Sequence, residues 1–130
     1  MRPVNRTCIV LLLTWSATLG SALAAGKPPS VEDKLAETGF TVGDEVEAIA
    51  DYRLDDRVYV DGRHLIVPDG SSRSYLVSLD KNCHGLAANR LFVETRTRYQ
   101  LTRRDKLSPR HEGRNVDRCE VVSIHQLIPK

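Results

Sequence analysis

Aromatic side chains are scarce in this chain of 130 residues, at 5%. Its one tryptophan, Trp15, falls in an apolar N-terminal run, and the remaining rings are Phe40, Phe92, Tyr52, Tyr59, Tyr75 and Tyr99. Single-stranded nucleic acids are gripped by aromatic rows on one face, and these scattered rings form no such row. A surplus of positive charge is missing too. The formal +2 is accounted for by Arg2 and Arg6, so the rest of the chain is neutral and lacks the excess lysine and arginine that neutralise phosphates. No nucleic-acid partner is expected. Catalytic and metal signatures are equally thin. There is no Cys-x-x-Cys pair for redox exchange and no Gly-x-Ser-x-Gly elbow to present a nucleophilic serine. His84 directly follows Cys83, while His111 and His125 have no neighbours at ligand spacing, so no metal site follows from them. Neither catalytic residues nor a cofactor are expected.

What is present begins at the N-terminus. Arg2 and Arg6 precede the apolar run from Cys8 to Leu19, and Ala22-Leu23-Ala24 has the small-x-small form that signal peptidase accepts. Residues 1–24 therefore read as a signal peptide, cleaved near Ala24/Ala25, with the periplasm as destination. The run is interrupted by Ser16, Thr18, Gly20 and Ser21 and falls short of the roughly 20 apolar residues of a helical span. No stable membrane span is expected after cleavage. About 106 residues remain, one domain's worth. Cys8 leaves with the signal, so Cys83 and Cys119 are an even pair in an oxidising compartment, and a bridge between them is the default reading. It would close a loop of about 37 residues, which the chain-entropy argument values at roughly 4 kcal/mol. The alternative is a redox or metal role for Cys83 with His84.

Along the exported part, residues 25–39 read as a tether and a short helix. Ser30 can cap the turn through Val31 to Glu37, with Asp33 three residues on and Gly39 as the stop. Residues 40–130 read as a single β-rich domain. Val46 and Ile49, three apart, suggest a second helical turn or an irregular entry into Tyr52-Arg53-Leu54. From Asp55 the period changes to two. Val58-Tyr59-Val60 meets the Asp61-Gly62 turn, and residues 64–79 form a hairpin about Pro68-Asp69-Gly70. After a turn in which Gly85 supplies positive φ, Leu91 to Arg96 is a strand that Tyr99-Gln100-Leu101-Thr102 extends or pairs with. Arg103 to Asp117 is expected to be a long polar loop, and Cys119 to Ile128 the last strand. The expected core is Tyr52, Leu54, Val60, Leu65, Val67, Leu76, Leu79, Leu86, Phe92, Val122 and Ile124.

Two groups of polar residues are candidate sites. Asp61, Arg63 and His64 form the densest polar cluster. Turn chemistry and an ion pair account for them as well as a proton-carrying or ligand site does. The second group arises from uneven charge. Residues 31–61 hold ten acids against three bases, and residues 90–119 hold nine bases against four acids. Either the two segments lie side by side as solvated faces, or Arg103, Arg104, Arg110 and Arg114, in the segment from Arg103 to Arg118, hold an anion.

Several stretches occur in an order that resembles a family of uncharacterised bacterial envelope proteins, a domain of unknown function. They are Val42-Gly43-Asp44-Glu45-Val46 with Ile49, Tyr52-Arg53-Leu54, Val60 to Val67, Tyr75-Leu76-Val77-Ser78-Leu79, Cys83-His84-Gly85-Leu86, and Cys119 near Val122 and Ile124. The resemblance covers roughly residues 40–127. It implies a tyrosine-leucine strand followed by a Cys-x-Gly-Leu turn and a late second cysteine, which supports joining Cys83 to Cys119. It brings no substrate, cofactor or reaction. The family often carries an aromatic near the position of Arg57, which this chain lacks.

The fold expected is mainly β: a small antiparallel curled sheet or partial barrel of about five strands, with a short N-terminal helix and one disulfide. The function expected is that of an exported envelope protein, a non-enzymatic domain that binds a partner or ligand of the envelope or supports an assembly there. The alternative is a periplasmic enzyme or small-anion binder using Asp61, Arg63 and His64 or the Arg103 to Arg118 segment.

Overall fold

The computed structural model describes residues 30–87, 90–97 and 99–130. The expected signal peptide at 1–24 and the tether at 25–29 lie outside the described residues. Helix α1 (Val31–Thr38) starts on the capping box read from the sequence. Ser30 Oγ accepts the Asp33 N–H, the Asp33 carboxylate accepts the Ser30 N–H, and Gly39 ends the helix at φ 85°. These bonds satisfy orphan donors of the first turn.

Strands follow in the order β1 (Phe40–Glu45), β2 (Ala48–Ala50), β3 (Val58–Asp61), β4 (His64–Pro68), β5 (Ser74–Leu79), β6 (Arg90–Glu94), β7 (Gln100–Thr102), β8 (Lys106–His111), β9 (Arg114–Asn115) and β10 (Cys119–Pro129). A 3-10 turn at Leu54–Asp56 precedes β3. The main sheet runs β3-β4-β5-β10-β8-β6, with β1 also on β10 and β9 on β8. Strand β10 organises it. Its first residues pair with β8, its middle with β5 and its end with β1, all antiparallel. The sheet therefore turns as β10 passes from one set of neighbours to the other, giving a curled half-barrel. The mainly β class, single helix and disulfide are as expected, although the described residues contain ten strands rather than about five.

Strands β4 and β5 are buried on both faces, and two apolar clusters explain why. Leu65, Val67, Val77, Leu79, Val121 and Ile124 line the concave side with Ile49, Leu91, Leu101 and Leu107. Ile66, Leu76 and Leu127 face the other way, where Leu35 of α1, fully buried, lies on them with Val31, Phe40 and Val60. A strand sends successive side chains to opposite faces, so an unbroken apolar run needs both faces covered. The helix covers one of them.

Four sequence expectations are corrected. Val46 and Ile49 do not open a helical turn. Ile49 is the buried centre of β2, which pairs with β7 through Ile49↔Leu101. That pairing also takes β7 away from β6, so Tyr99 to Thr102 neither extends nor pairs with that strand. The polar stretch from Arg103 to Asp117 is not a loop throughout, because it contains β8 and β9, with Leu107, Ser108 and Pro109 buried. Pro109 lies inside β8. It fits because it sits opposite Leu91 in a position where no N–H is needed, while its carbonyl accepts the Val116 N–H at 2.8 Å. Finally, Val122 is 43% exposed and Phe92 stands outside the main core. At Val122 the register slips by one between Val121 and Ser123, so Val121 and Ile124 both point inward and Val122 outward. At Phe92, parity decides: Leu91 and Val93 face the core, leaving Arg90, Phe92 and Glu94 outside.

Cys83 and Cys119 are joined, with Cα atoms 6.0 Å apart. Gly85 sits in the following turn at φ 79°.

Candidate functional site

The curl brings the approach to the first strand of the sheet near its last strand. Residues 51–56, running up to β3, and residues 90–93 of β6 form the two walls of a groove of about 580 Å³. A second hollow of about 520 Å³, lined by Asp51, Tyr52, Thr95 and Tyr99, shares Asp51 and Tyr52 with the first. Tyr52, Leu54, Leu91 and Val93 all pack on the main core, so they give the floor an apolar strip, while polar atoms make up most of the groove's exposed lining.

Its rim is charged. Asp55 and Asp56 are exposed on the 3-10 turn, and Asp51 lies 3.8 Å from Arg53. Across from them Arg90 lies over the Phe92 ring at 5.3 Å, and Arg110 of β8 stacks on the same ring at 4.0 Å. The Arg110 Nε also donates to Asn115 Oδ1. Arg57 pins the far end by donating to the Leu54 and Leu86 carbonyls. Burial pulls its pKa down, and the nearby Asp55 charge acts the other way. Burial, reinforced by the Asp105 charge, pushes the Tyr52 phenol up, so it stays a neutral hydroxyl at physiological pH. Sequence reasoning missed this groove. The acid-rich turn and the arginine-flanked strand were both visible as charge asymmetry, but nothing local placed them opposite each other.

The polar cluster read from the sequence does assemble in part. Asp61 Oδ1 accepts the Arg63 N–H at 2.8 Å and lies 2.8 Å from His64 Nδ1, while Oδ2 is 3.2 Å from Lys34 Nζ. Burial raises the Asp61 pKa, but the Arg63 N–H, the His64 ring and Lys34 outweigh it and leave the carboxyl below its ordinary value. The Arg63 guanidinium turns away to the Asp80 carbonyl at 2.9 Å. None of the three lines the groove. Lys34, which sequence reasoning did not name, joins the cluster from α1 and so ties the helix to the end of β3.

The four arginines of the second candidate set do not converge. Arg103 lies 3.6 Å from Glu45 and 3.8 Å from Glu47, which sets the acidic and basic segments side by side. Arg110 is engaged with Phe92 and Asn115. Arg114 is exposed on β9 opposite His111, and Arg104 occupies a turn at φ 74°, its N–H donating to the Val121 carbonyl.

Ligand-type atoms of Cys83, Asp117 and Cys119 lie within 4.8 Å of one another. The two sulfurs are bonded together, so neither is a thiolate able to hold a metal. Asp117 is fully engaged by Lys81 Nζ at 2.7 Å, the His84 N–H at 3.0 Å and the Arg118 N–H at 2.7 Å. The Lys81 bond first, then the two backbone donors, hold its pKa at about 2 against the opposing effect of burial. This cluster is a staple buttressed by an aspartate. No helix among the described residues is long and apolar enough to cross a membrane.

These features define a small, disulfide-stapled, half-barrel β domain with an open groove along one edge. The chain belongs to the family of unknown function DUF6491, whose model it matches over residues 5–130. No curated protein and no solved structure matches it.

Proposed function

We propose that the chain is an exported envelope protein that acts in the periplasm as a non-enzymatic binding or assembly-support domain, with the groove between residues 51–56 and β6 as its binding surface. The observation that carries this reading is the groove's composition: an apolar strip of floor continuous with the core inside a mostly polar lining, with Asp51, Asp55, Asp56 and Arg53 on one wall and Arg90, over the Phe92 ring, on the other. Concave, largely preformed sites with a few placed polar groups are where ligands settle. Export is supported by Arg2, Arg6, the apolar run and Ala22-Leu23-Ala24. A periplasmic enzyme built on Asp61, Arg63 and His64 draws support from the 2.8 Å Asp61–His64 contact, but Lys34 takes the other carboxylate oxygen and Arg63 leaves the cluster.

The test is photo-crosslinking in intact cells of the native source. A photoreactive residue in place of Asp56 should give a discrete adduct in the envelope fraction, and one in place of Arg114 should not. The recovered protein should begin near Ala25 and, without Trp15, show no tryptophan emission. Unprocessed protein in the cytosol, or equal labelling at both positions, would defeat the proposal.

A further inference from the structure

Among the described residues, strand β6 ends the sheet and bonds only to β8. Which of its backbone groups are spent on β8 follows from Pro109. In an antiparallel pair, each residue's N–H and C=O point to the same side, and bonded and non-bonded pairs alternate. Pro109 faces Leu91, has no N–H, and turns its carbonyl away from β6 to accept the Val116 N–H. Leu91↔Pro109 is therefore a non-bonded pair. By alternation Val93↔Leu107 is another, and Arg90, Phe92 and Glu94 make the bonds to β8. The N–H and C=O groups of Leu91 and Val93 point the other way, into the groove, and no bond to them from outside the strands occurs among the described residues. Backbone groups at the margin of an apolar site need partners, from water or from a ligand.

We infer that the groove takes an extended segment of a partner protein, which adds to β6 as a further strand through the free N–H and C=O groups of Leu91 and Val93. The opposite wall, Tyr52 to Asp56, flanks the path that strand would take along β6, and the second hollow continues the path past Thr95 and Tyr99. Strand addition draws affinity from main-chain bonds and selectivity from alternate side chains. One set of side chains would meet Leu54, Leu91 and Val93 over the core and should be apolar. The lining holds Asp51, Asp55 and Asp56 against Arg53 and Arg90, and Asp51 lies 3.8 Å from Arg53, so the rim set, where it meets the exposed Asp55 and Asp56 across from Arg90, should carry lysine or arginine. The exposed Tyr99, 80% accessible at the far end, offers a further apolar contact.

This inference rests on the groove being the binding surface, and its test is separable. Isotope-labelled protein starting at residue 25 is followed by residue-resolved amide exchange, alone and with synthetic peptides of about eight residues, a usual strand length. The probe alternates valine with lysine. Controls are the same peptide N-methylated at every second amide, and a valine–glutamate version. Alone, the Leu91 and Val93 amides should exchange on the order of a hundredfold faster than that of Phe92, which is bonded to β8. The lysine peptide should slow both by tenfold or more, the methylated peptide should not, and the glutamate peptide should bind at least about tenfold more weakly. No protection by the lysine peptide, or equal protection by the methylated one, overturns strand addition. Equal binding of the glutamate peptide overturns the chemistry assigned to the partner. Protection without peptide that grows with protein concentration would make the occupant a second copy, and protection independent of concentration would make it the chain's own residues 25–29; either overturns the inference. If strand addition fails while crosslinking at position 56 succeeds, the binding reading stands without it.

Discussion

Removal of the Cys83–Cys119 bridge is the perturbation whose size is best fixed by the structure. The cysteines are 36 residues apart in sequence, and the loop-closure relation for a loop of that length gives roughly 4 kcal/mol of lost stability at 25 °C. The sulfurs are buried, Cys119 fully and Cys83 at 5% exposure, so replacing both with alanine adds a packing loss of about 1 kcal/mol. The expected total, near 5 kcal/mol, is comparable with the whole stability of many small domains. Cys83→Ala/Cys119→Ala should therefore melt roughly 15–25 °C below the oxidised protein. The entropic origin carries its own signature. If the bridge acts by restricting the unfolded chain, the double variant unfolds to a more expanded state, and its urea m-value should rise relative to the bridged protein. Urea titrations of both proteins, monitored by circular dichroism, measure the two quantities together. A stability loss below about 1 kcal/mol with an unchanged m-value would refute the reasoning, since it would mean that the antiparallel pairing of β5 with β10, which already brings Asp80 and Glu120 together, does the work assigned to the bridge.

Three other outcomes follow from named contacts. Asp117, with its folded pKa at about 2 against 3.8 unfolded, contributes stability that is whole above the unfolded value and lost as pH falls through the folded one; after allowance for screening this is about 1 kcal/mol, and Asp117→Asn should flatten the acid limb of a stability profile between about pH 5 and 2, a limb unchanged by the substitution arguing against it. A Cβ on Gly43 would fall 2.8 Å from the Gln126 carbonyl oxygen and 3.0 Å from Ile128 Cδ1, so Gly43→Ala should lower stability by about 1–2 kcal/mol and speed amide exchange along the end of β10. Ile128→Ala should not rescue it, because the closest clash is with backbone; full rescue would show the side chain to be the obstacle. Arg110→Glu should lose about 1–2 kcal/mol with its place over Phe92 and its bond to Asn115, whereas exposed Arg114→Glu should stay within about 0.5 kcal/mol; equal effects in chemical denaturation would contradict the distinction.

Features whose signals are local could be read without coordinates. Ser30, Asp33 and Gly39 announce the helix and both its ends because capping acts over three residues and one turn. The hairpin of β4 and β5 was legible because its turn residues and apolar runs are contiguous, and the disulfide because only two cysteines follow the N-terminal run. Tertiary structure alone decided what depends on register and curl. Strand β1 is too mixed in pattern, and β2 and β7 too short, to show a period, and they exist as strands because β10, or each other, completes their hydrogen bonds. The inward turn of Val121 and Ile124 across an exposed Val122 needs a bulge that no alternation of residues announces. Lys34 reaches Asp61 from 27 residues away. The groove is the clearest case. Its walls, 51–56 and 90–93, are separated in the chain by β3, β4 and β5 and meet only because the sheet, held at β10, curls until its last strand faces the approach to its first. Local preference sets what each segment can be, and long-range pairing sets which face of it meets what.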